Sequence, residues 1–420
     1  MHSRQNILFL THRVPFPSNK GDKIRTFHQM EYLAARHNVY CACFVDRPAD
    51  RVHAIALRQW CKGVIAIPWD RRTAIRRAVK GFWKGRSLTC AAYDDPTMWH
   101  HLREWARAIQ FDAVTAFSGC MAPYAWAFPA GRRILDLCDI DSRKWHDYAG
   151  DSLFPLSTAY RAEGRRLAAF ERRCADHFDS TIVATPRERE LIDPEQRQRT
   201  LYIVPNGVDL PALPPEPPSA NPPIVTFVGA MNYRPNVDGV LWFVRRVWPR
   251  IVQATPDARF VMVGADPALL VRRLSRFKNI VVTGEVPGVQ PYLRASRVVI
   301  APMPIVRGIP NKVLEAMAMA RPVVGTPGVA AALGAQSGRH LMTGESPEAF
   351  ADHVIALLTD SKQCDRIAAA GYRFVDIHYC WKDALTDYER AVAGPAISAA
   401  RPSVLLQRAS NSARSAVGVR

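Results

Sequence analysis

The sequence predicts an α/β protein built from two Rossmann-like domains facing across a cleft. Three observations lead there. Short apolar runs alternate with helix-patterned segments along the 420 residues, the order that builds parallel sheets. The runs of the second half are apolar without polar alternation, as strands covered by helices on both faces require. The stretch PALPPEPPSANPP at 211–223 holds seven prolines in thirteen residues, which neither a helix nor a central strand accommodates.

The elements follow in order. NILFLT (6–11) reads as a first buried strand, followed by the polar loop HRVPFPSNKGDK and by IRTFHQMEYLAAR at helical spacing. NVYCACFV closes the βαβ unit. VIAIP (64–68), DAVTAF (112–117), RRILDLCDI (132–140), STIVAT (180–185) and LYIVP (201–205) are further strand candidates, with helices over 98–109 and 159–176. This gives an N-terminal domain over 1–210 and a proline-rich linker over 211–223. The C-terminal domain, over 224–375, starts with IVTFVG (224–229) and the helix-patterned VDGVLWFVRRVWPRIVQA. RFVMVG, NIVVTG, RVVIAPM and RPVVGT continue it as strands. Residues 365–390 pattern as helices, and a C-terminal helix over 376–395 is expected to return to the first domain. The Ser/Ala/Arg-rich 396–420 reads as a basic disordered tail.

Composition narrows the class. The longest apolar stretch is VVIAPMPIV at 298–306, far below the roughly 20 residues of a bilayer span. The N-terminal apolar core is only ILFL, too short for a signal peptide, so a cytoplasmic protein is expected. Nine scattered cysteines with no CxxC argue against a disulfide framework. The net charge is +18; residues 71–86 contribute seven basic residues and no acid, and Arg401–Arg420 four more arginines. Nucleic acid, an anionic membrane or a phosphorylated substrate would each suit that balance. No zinc-finger spacing, aromatic-laced RNA motif or helix-turn-helix accompanies it, so a nucleic-acid partner is not expected.

Open parallel sheets bind ligands beyond the carboxyl ends of their strands, so the loops after strands hold the candidates. In GIPNKVLEAMAMARPVV (308–324), Asn311 is placed to cap a helix from Lys312 to about Ala320. The backbone N–H groups of Lys312 and Val313, with the Lys312 charge, would then suit an anion. Glu315, on the same helix face, could accept hydrogen bonds from paired hydroxyls; a surface Lys–Glu pair is the alternative. In FVGAMNYRPNVDG, Gly229 ends a strand and Arg234 precedes a helix, where its fork of donors suits a diphosphate. In THRVPFPSNKGDKIR, Gly21 allows close backbone approach to a ligand. There is no G-x-G-x-x-G or Walker motif and no metal-ligand cluster, so neither dinucleotide cofactor nor metal is expected.

These segments carry a resemblance. FLTHRVPFPSNKGDKIRTFHQ, DLCDIDSRKW, IVPNGVD, FVGAMNYRPNVDGVLWF and GIPNKVLEAMAMARPVV, in that order over about residues 6–390, resemble retaining glycosyltransferases of family 4, which have the GT-B fold. More narrowly, they resemble the sugar transferases found with exopolysaccharide and PEP-CTERM systems. The resemblance implies transfer of a sugar from a nucleotide-diphosphate sugar to a glycan or lipid-linked acceptor hydroxyl, with retention and without a metal. It implies that Glu315 holds the donor ribose and that Arg234 and Lys312 meet the diphosphate. Gly21, Gly229, Gly308, Asn311 and Val313 would line the donor site, and Asp139 and Asp141 would lie by the reacting sugar, where many members carry a histidine. Arg307 stands where the family's first signature glutamate falls. It cannot accept hydrogen bonds, and an arginine there would suit a donor that itself bears a carboxylate. The usual glycine after LEAMAMA is Arg321 here. A non-hydrolysing nucleotide-sugar epimerase and a non-catalytic sugar-nucleotide-binding protein are the alternatives.

At helical spacing Ile75, Val79, Phe82 and Trp83 share a face within the basic 71–86 segment. That face either packs on the first domain's core or lies in the headgroup region of an anionic membrane.

Overall fold

The computed structural model describes residues 4–393 apart from 151, 196–199, 213–215, 218–220, 222, 305 and 307. Most of the expected linker, the basic tail 396–420 and Arg307 therefore lie wholly or partly outside the described residues. The chain divides into two units: one runs to Pro205 and takes in the chain from Leu385, the other covers Asn206–Ala384. The NGV of IVPNGVD thus belongs to the second unit. Val208 donates its N–H to the Tyr379 carbonyl at 2.8 Å, and a Cβ on Gly207 would come within 2.4 Å of the Trp381 ring.

The first unit is a seven-stranded parallel sheet. Its strands are β1 (Asn6–Thr11), β2 (Asn38–Val45), β3 (Gly63–Pro68), β4 (Phe111–Phe117), β5 (Ala130–Cys138), β6 (Ser180–Val183) and β7 (Leu201–Ile203). They stand in the order β3-β2-β1-β4-β5-β6-β7, the doubly wound arrangement whose switch point lies between β1 and β4. The apolar runs explain the strands: Ile7, Leu8, Phe9 and Leu10 are all buried, as a strand covered on both faces must be. The second unit repeats the winding with β8 (Ile224–Val228), β9 (Arg259–Val263), β10 (Ile280–Val282), β11 (Val298–Ala301), β12 (Val323–Gly325) and β13 (Met342–Thr343). Their order is β10-β9-β8-β11-β12-β13.

Two elements differ from the sequence reading. The helix begun at Arg234 runs to Trp242 and resumes over Trp248–Ala254, with a π-helical turn at Phe243–Val247 between. Pro249 supplies the reason: it lacks an N–H and its ring crowds the carbonyl four residues back, which a widened turn relieves. The helix of the LEAMA segment runs over Asn311–Ala318. Its chain reverses at Ala320, which takes the left-handed conformation (φ 49°) usually given to glycine, while Arg321 is buried and donates to the Glu216 carbonyl at 2.7 Å.

The first unit is fixed at its centre by a buried ion pair. Arg25, on the helix Gly21–Arg36, donates from Nε to Asp136 Oδ2 at 2.8 Å and from Nη2 to Oδ1 at 3.2 Å. Its Nη1 reaches the Val204 carbonyl at 2.8 Å. Gln29 donates to Asp136 at 2.6 Å, and the Cys138 N–H donates to the same carboxylate at 2.9 Å. Both charged side chains are essentially inaccessible to water, and this set of hydrogen bonds compensates their desolvation. Removing one partner, as in Arg25→Met or Asp136→Asn, is expected to destabilise the unit by about 3–5 kcal/mol. The check is urea unfolding with a double-mutant cycle; additive losses would show the pair uncoupled.

Candidate functional site

The site in the second unit is assembled outside the carboxyl ends of β8 and β11, at that sheet's switch point. Gly229 follows β8 directly. A Cβ at Gly229 would lie 2.8 Å from Lys312 Nζ and 2.8 Å from Asn236 Nδ2. A Cβ at Gly264, just after β9, would lie 1.8 Å from the Gly229 carbonyl oxygen. Two glycines thus let backbone and ammonium converge where no other residue fits.

Lys312 donates to Asn236 Oδ1 at 2.6 Å, and its ammonium sits 4.5 Å from the centre of the Phe227 ring. Asn236 in turn donates to the Ala230 carbonyl at 2.9 Å, so the β8 exit loop is tied to the lysine. Burial pulls the Lys312 ammonium down to about 7, with Glu315 opposing. Burial pushes the Glu315 carboxyl up to about 7; Lys312 lowers it and Asp209 raises it. Each group costs free energy when charged in that half-buried setting, and each partly supports the other's charge.

The sequence-derived residues fall as follows. Lys312 and Glu315 share the helix Asn311–Ala318, and Gly229 meets the lysine. Asn311 is not the N-cap: the helix starts at Asn311 itself, Pro310 precedes it, and no side chain caps it. Its Oδ1 instead accepts from Asn206 Nδ2 at 3.0 Å, which joins IVPNGVD to this helix. Val313 is also corrected as a donor to a ligand, since its N–H is taken by the Pro310 carbonyl at 2.8 Å. Gly308 takes a left-handed φ of 55° in the preceding loop. Arg234 opens its helix on the surface, 3.5 Å from Asp238, two residues before Asn236. Asn206, Asp209, Asn236 and Gly264 were not singled out from the sequence. The first two stand in IVPNGVD and Asn236 follows Arg234 closely, but which partners they meet depends on the tertiary fold.

The first unit places its candidates at the ends of β1 and β5. Gly21 is the exposed first residue of its helix. The loop before it is held by Asp22, which accepts from Arg13 Nη1 at 2.8 Å and lies 3.3 Å from His12 Nε2. Arg13 Nε also lies 3.3 Å from Asp46. Asp139 follows β5, and Asp141 begins the helix Asp141–Gly150. Burial raises both carboxyls; for Asp139 the nearby Asp141 adds to it, while for Asp141 Lys144 and His12 oppose it. Glu188 joins this group through a side-chain hydrogen bond with Asp139 and is pushed up to about 8, chiefly by burial and then by Asp139. Sequence reasoning missed Glu188, which sits in the capping box of the helix Pro186–Ile192.

Residues 222–360 match the family model described as glycosyl transferases group 1, which makes the second unit a glycosyltransferase domain. A search of curated proteins finds no match. Among solved structures the chain is similar to sucrose-phosphate synthase from Thermosynechococcus elongatus, at 15% identity over 98% of this chain and 100% of that one, with a TM-score of 0.69. It is similar to HepE of Anabaena, solved with UDP and glucose, at 13% identity over 93% of this chain and 100% of that one (TM-score 0.65). It is also similar to TarM of S. aureus, at 10% identity over 93% and 99% of the two chains (TM-score 0.65). These likenesses show the fold, that of two-domain GT-B glycosyltransferases.

The Lys312–Glu315 pair gives a direct prediction. Glu315→Gln removes the charge that supports the ammonium, so Lys312 is expected to titrate below its present value of about 7. Carbon-13 NMR of the methylated lysine reads this, and an unchanged titration would separate the two groups.

Proposed function

We propose that the protein is a retaining, family 4-type glycosyltransferase that moves a sugar from a nucleoside-diphosphate sugar to an acceptor hydroxyl. We place that activity in exopolysaccharide or other cell-surface glycan synthesis, on a glycan or lipid-linked acceptor. The observation that carries the reading is Lys312 held between Gly229, Asn236 and Glu315 at the sheet's switch point, inside the segment that matches group 1 glycosyltransferases. HepE, a structural neighbour, is described in complexes with UDP and with UDP-glucose, which makes these the first probes.

In this reading Lys312 and Arg234 bind the diphosphate, Gly229 lets it approach the backbone, and Glu315 accepts hydrogen bonds from the ribose hydroxyls. As the bond from the sugar's anomeric carbon to the diphosphate breaks, negative charge grows on the leaving oxygen. A cation already held in place lowers the cost of that charge. The transferred carbon bonds the acceptor oxygen, and the acceptor's proton leaves with the departing phosphate. No resident metal or cofactor is invoked. Arg307 is assigned to the transferred sugar. Asp139 and Asp141 are assigned to hydroxyls on the acceptor side, with which a carboxyl group can exchange hydrogen bonds. Asn retains a donor and Ala does not, so Asp139→Asn is expected to keep more turnover than Asp139→Ala; equal losses would remove this role. A peripheral association with an anionic membrane completes the proposal.

Glu315→Ala is expected to weaken UDP-glucose binding by about 10- to 100-fold and to lower turnover with it, the fold being intact by circular dichroism. Unchanged affinity would withdraw the ribose assignment. Proton NMR of the product's anomeric centre tests retention directly.

Lys312→Ala and Arg234→Ala are expected to cost more affinity for UDP than for UMP, by calorimetry. The free ammonium titrates at about 7 and only its charged form attracts the diphosphate. The Lys312 contribution to UDP-glucose affinity is therefore present below pH 7 and lost as pH rises above it, and Glu315→Gln, which removes the carboxyl that titrates over the same range, isolates that decline. A pH-independent affinity would count against contact with Lys312.

A further inference from the structure

We propose that the first unit docks on an anionic bilayer through two points, the helix Arg71–Trp83 and the apolar turn Leu153–Leu156. This deepens the membrane association named above, yet it uses nothing from the donor site, so the two readings can fail separately.

The helix is firmly seated by one side and bare on the other. Asp70 caps it by accepting from the Thr73 N–H at 2.9 Å. Ala74 and Gly81 are buried, and a Cβ on Gly81 would meet Ala91 Cβ at 2.3 Å. Arg77 binds Asp95 at 2.6 Å and the Ala92 carbonyl at 3.1 and 3.0 Å. Arg166 lies 4.0 Å over the Phe82 ring and donates to the Phe82 carbonyl at 3.0 Å. None of these anchors uses the stripe Ile75, Val79 and Trp83, which lines up at i, i+4 and i+8 and is 53%, 49% and 81% exposed.

The cations divide in the same way. Arg77 and Arg86 are engaged by Asp95 and Asp94. Arg71, Arg72, Arg76, Lys80 and Lys84 are exposed, and no acid occurs from 71 to 86. At 100° per residue, Arg71 borders one side of the apolar stripe, Arg72 lies within it, and Arg76 and Lys80 border the other.

The second point lies on the helix that grips the first. Leu153, Phe154 and Leu156 are 88%, 82% and 56% exposed, at the start of the helix Leu156–His177 that carries Arg166. Ten residues at helical rise put that start roughly 15 Å along the axis from the Phe82 contact. Exposed Arg161 and Arg165 lie between.

Nucleic acid would satisfy the cations and leave six aliphatic and aromatic side chains in water. An anionic bilayer accepts both, the cations at the headgroups and the apolar side chains beneath them.

Full-length protein is co-sedimented, without nucleotide, with vesicles of phosphatidylcholine alone and with rising fractions of phosphatidylglycerol. Binding is expected only with the anionic lipid and to weaken with salt. Changing Arg71, Arg72, Arg76, Lys80 and Lys84 together to Gln should weaken it at least 100-fold, each cation contributing roughly fivefold. Trp83→Ala and Phe154→Ala should each cost about tenfold. Brominated lipid should quench tryptophan emission in the wild type, and less so in Trp83→Phe, which keeps the fold and the charge. Equal binding to neutral vesicles, no binding at any anionic fraction, or quenching indifferent to Trp83 overturns the proposal. So does retention on nucleic acid or self-association through this face without vesicle binding. Loss in Trp83→Ala but not Phe154→Ala overturns the two-point form.

Discussion

The missing side chain at residue 229 is the constraint on which the second unit's site depends. The β8 exit bonds the end of β9, where the Gly229 N–H donates to the Val263 carbonyl at 2.9 Å, and the Lys312 side chain of the helix Asn311–Ala318 reaches the space a Cβ would fill. A Cβ at 229 would lie 2.8 Å from the Lys312 ammonium, and one at 264 would strike the 229 carbonyl at 1.8 Å. Because residue 229 carries no side chain, the lysine can be packed against a strand end and an aromatic ring instead of extending into water. That placement produces its unusual electrostatics. An ammonium in water gains nothing from losing a proton near neutrality; a buried one does, although the Phe227 ring, the Asn236 oxygen and Glu315 each favour its charge. An anionic diphosphate would return what burial removes, so the site is arranged for charge it does not itself supply.

The first unit solves a different problem with the same winding. There the buried charge is fully compensated within the protein: Asp136 receives Arg25, Gln29 and its own Cys138 N–H. This fixes the helix that begins at Gly21 against β5, so the ends of the elements carrying Asp22 and Asp139 are placed by one rigid contact. Beyond β5 and β6 stand three acids whose carboxyls are raised, Asp139, Asp141 and Glu188. Such a surface repels phosphate when ionised and donates hydrogen bonds when protonated, which suits neutral hydroxyls. The two sheets therefore offer chemically distinct strand ends, although their topology at the switch point is alike.

How much of this was legible in the sequence follows from the range of each interaction. The long apolar runs such as NILFLT and IVTFV became strands because burial on both faces is written locally, residue by residue. The two-residue β13, Met342–Thr343, has no such run to announce it. Lys312 and Glu315 were legible together because four positions of helix suffice to pair them. Asn236 was not, since its bond to Lys312 spans 76 positions; the Arg25–Asp136 pair spans 111. The Asn311 cap failed for an instructive reason. The residue type was right for an N-cap, but Asn206 offered its amide to the same side-chain oxygen, and the tertiary partner prevailed over the local one.

The range of the signal also accounts for the basic helix at 71–83, whose covered side the sequence left open. A periodic apolar stripe shows that a helix has a face; it does not show which face the protein covers. Here the covered side is built from small residues and a tethered arginine: Ala74, Gly81 and Arg77. Small residues allow close packing without contributing much apolar area, so the larger side chains were free to point the other way. Leaving Trp83 and Ile75 more than half exposed costs solvation free energy. With five exposed cations along the same helix, the proposed bilayer contact would supply the burial that these side chains do not find inside the unit.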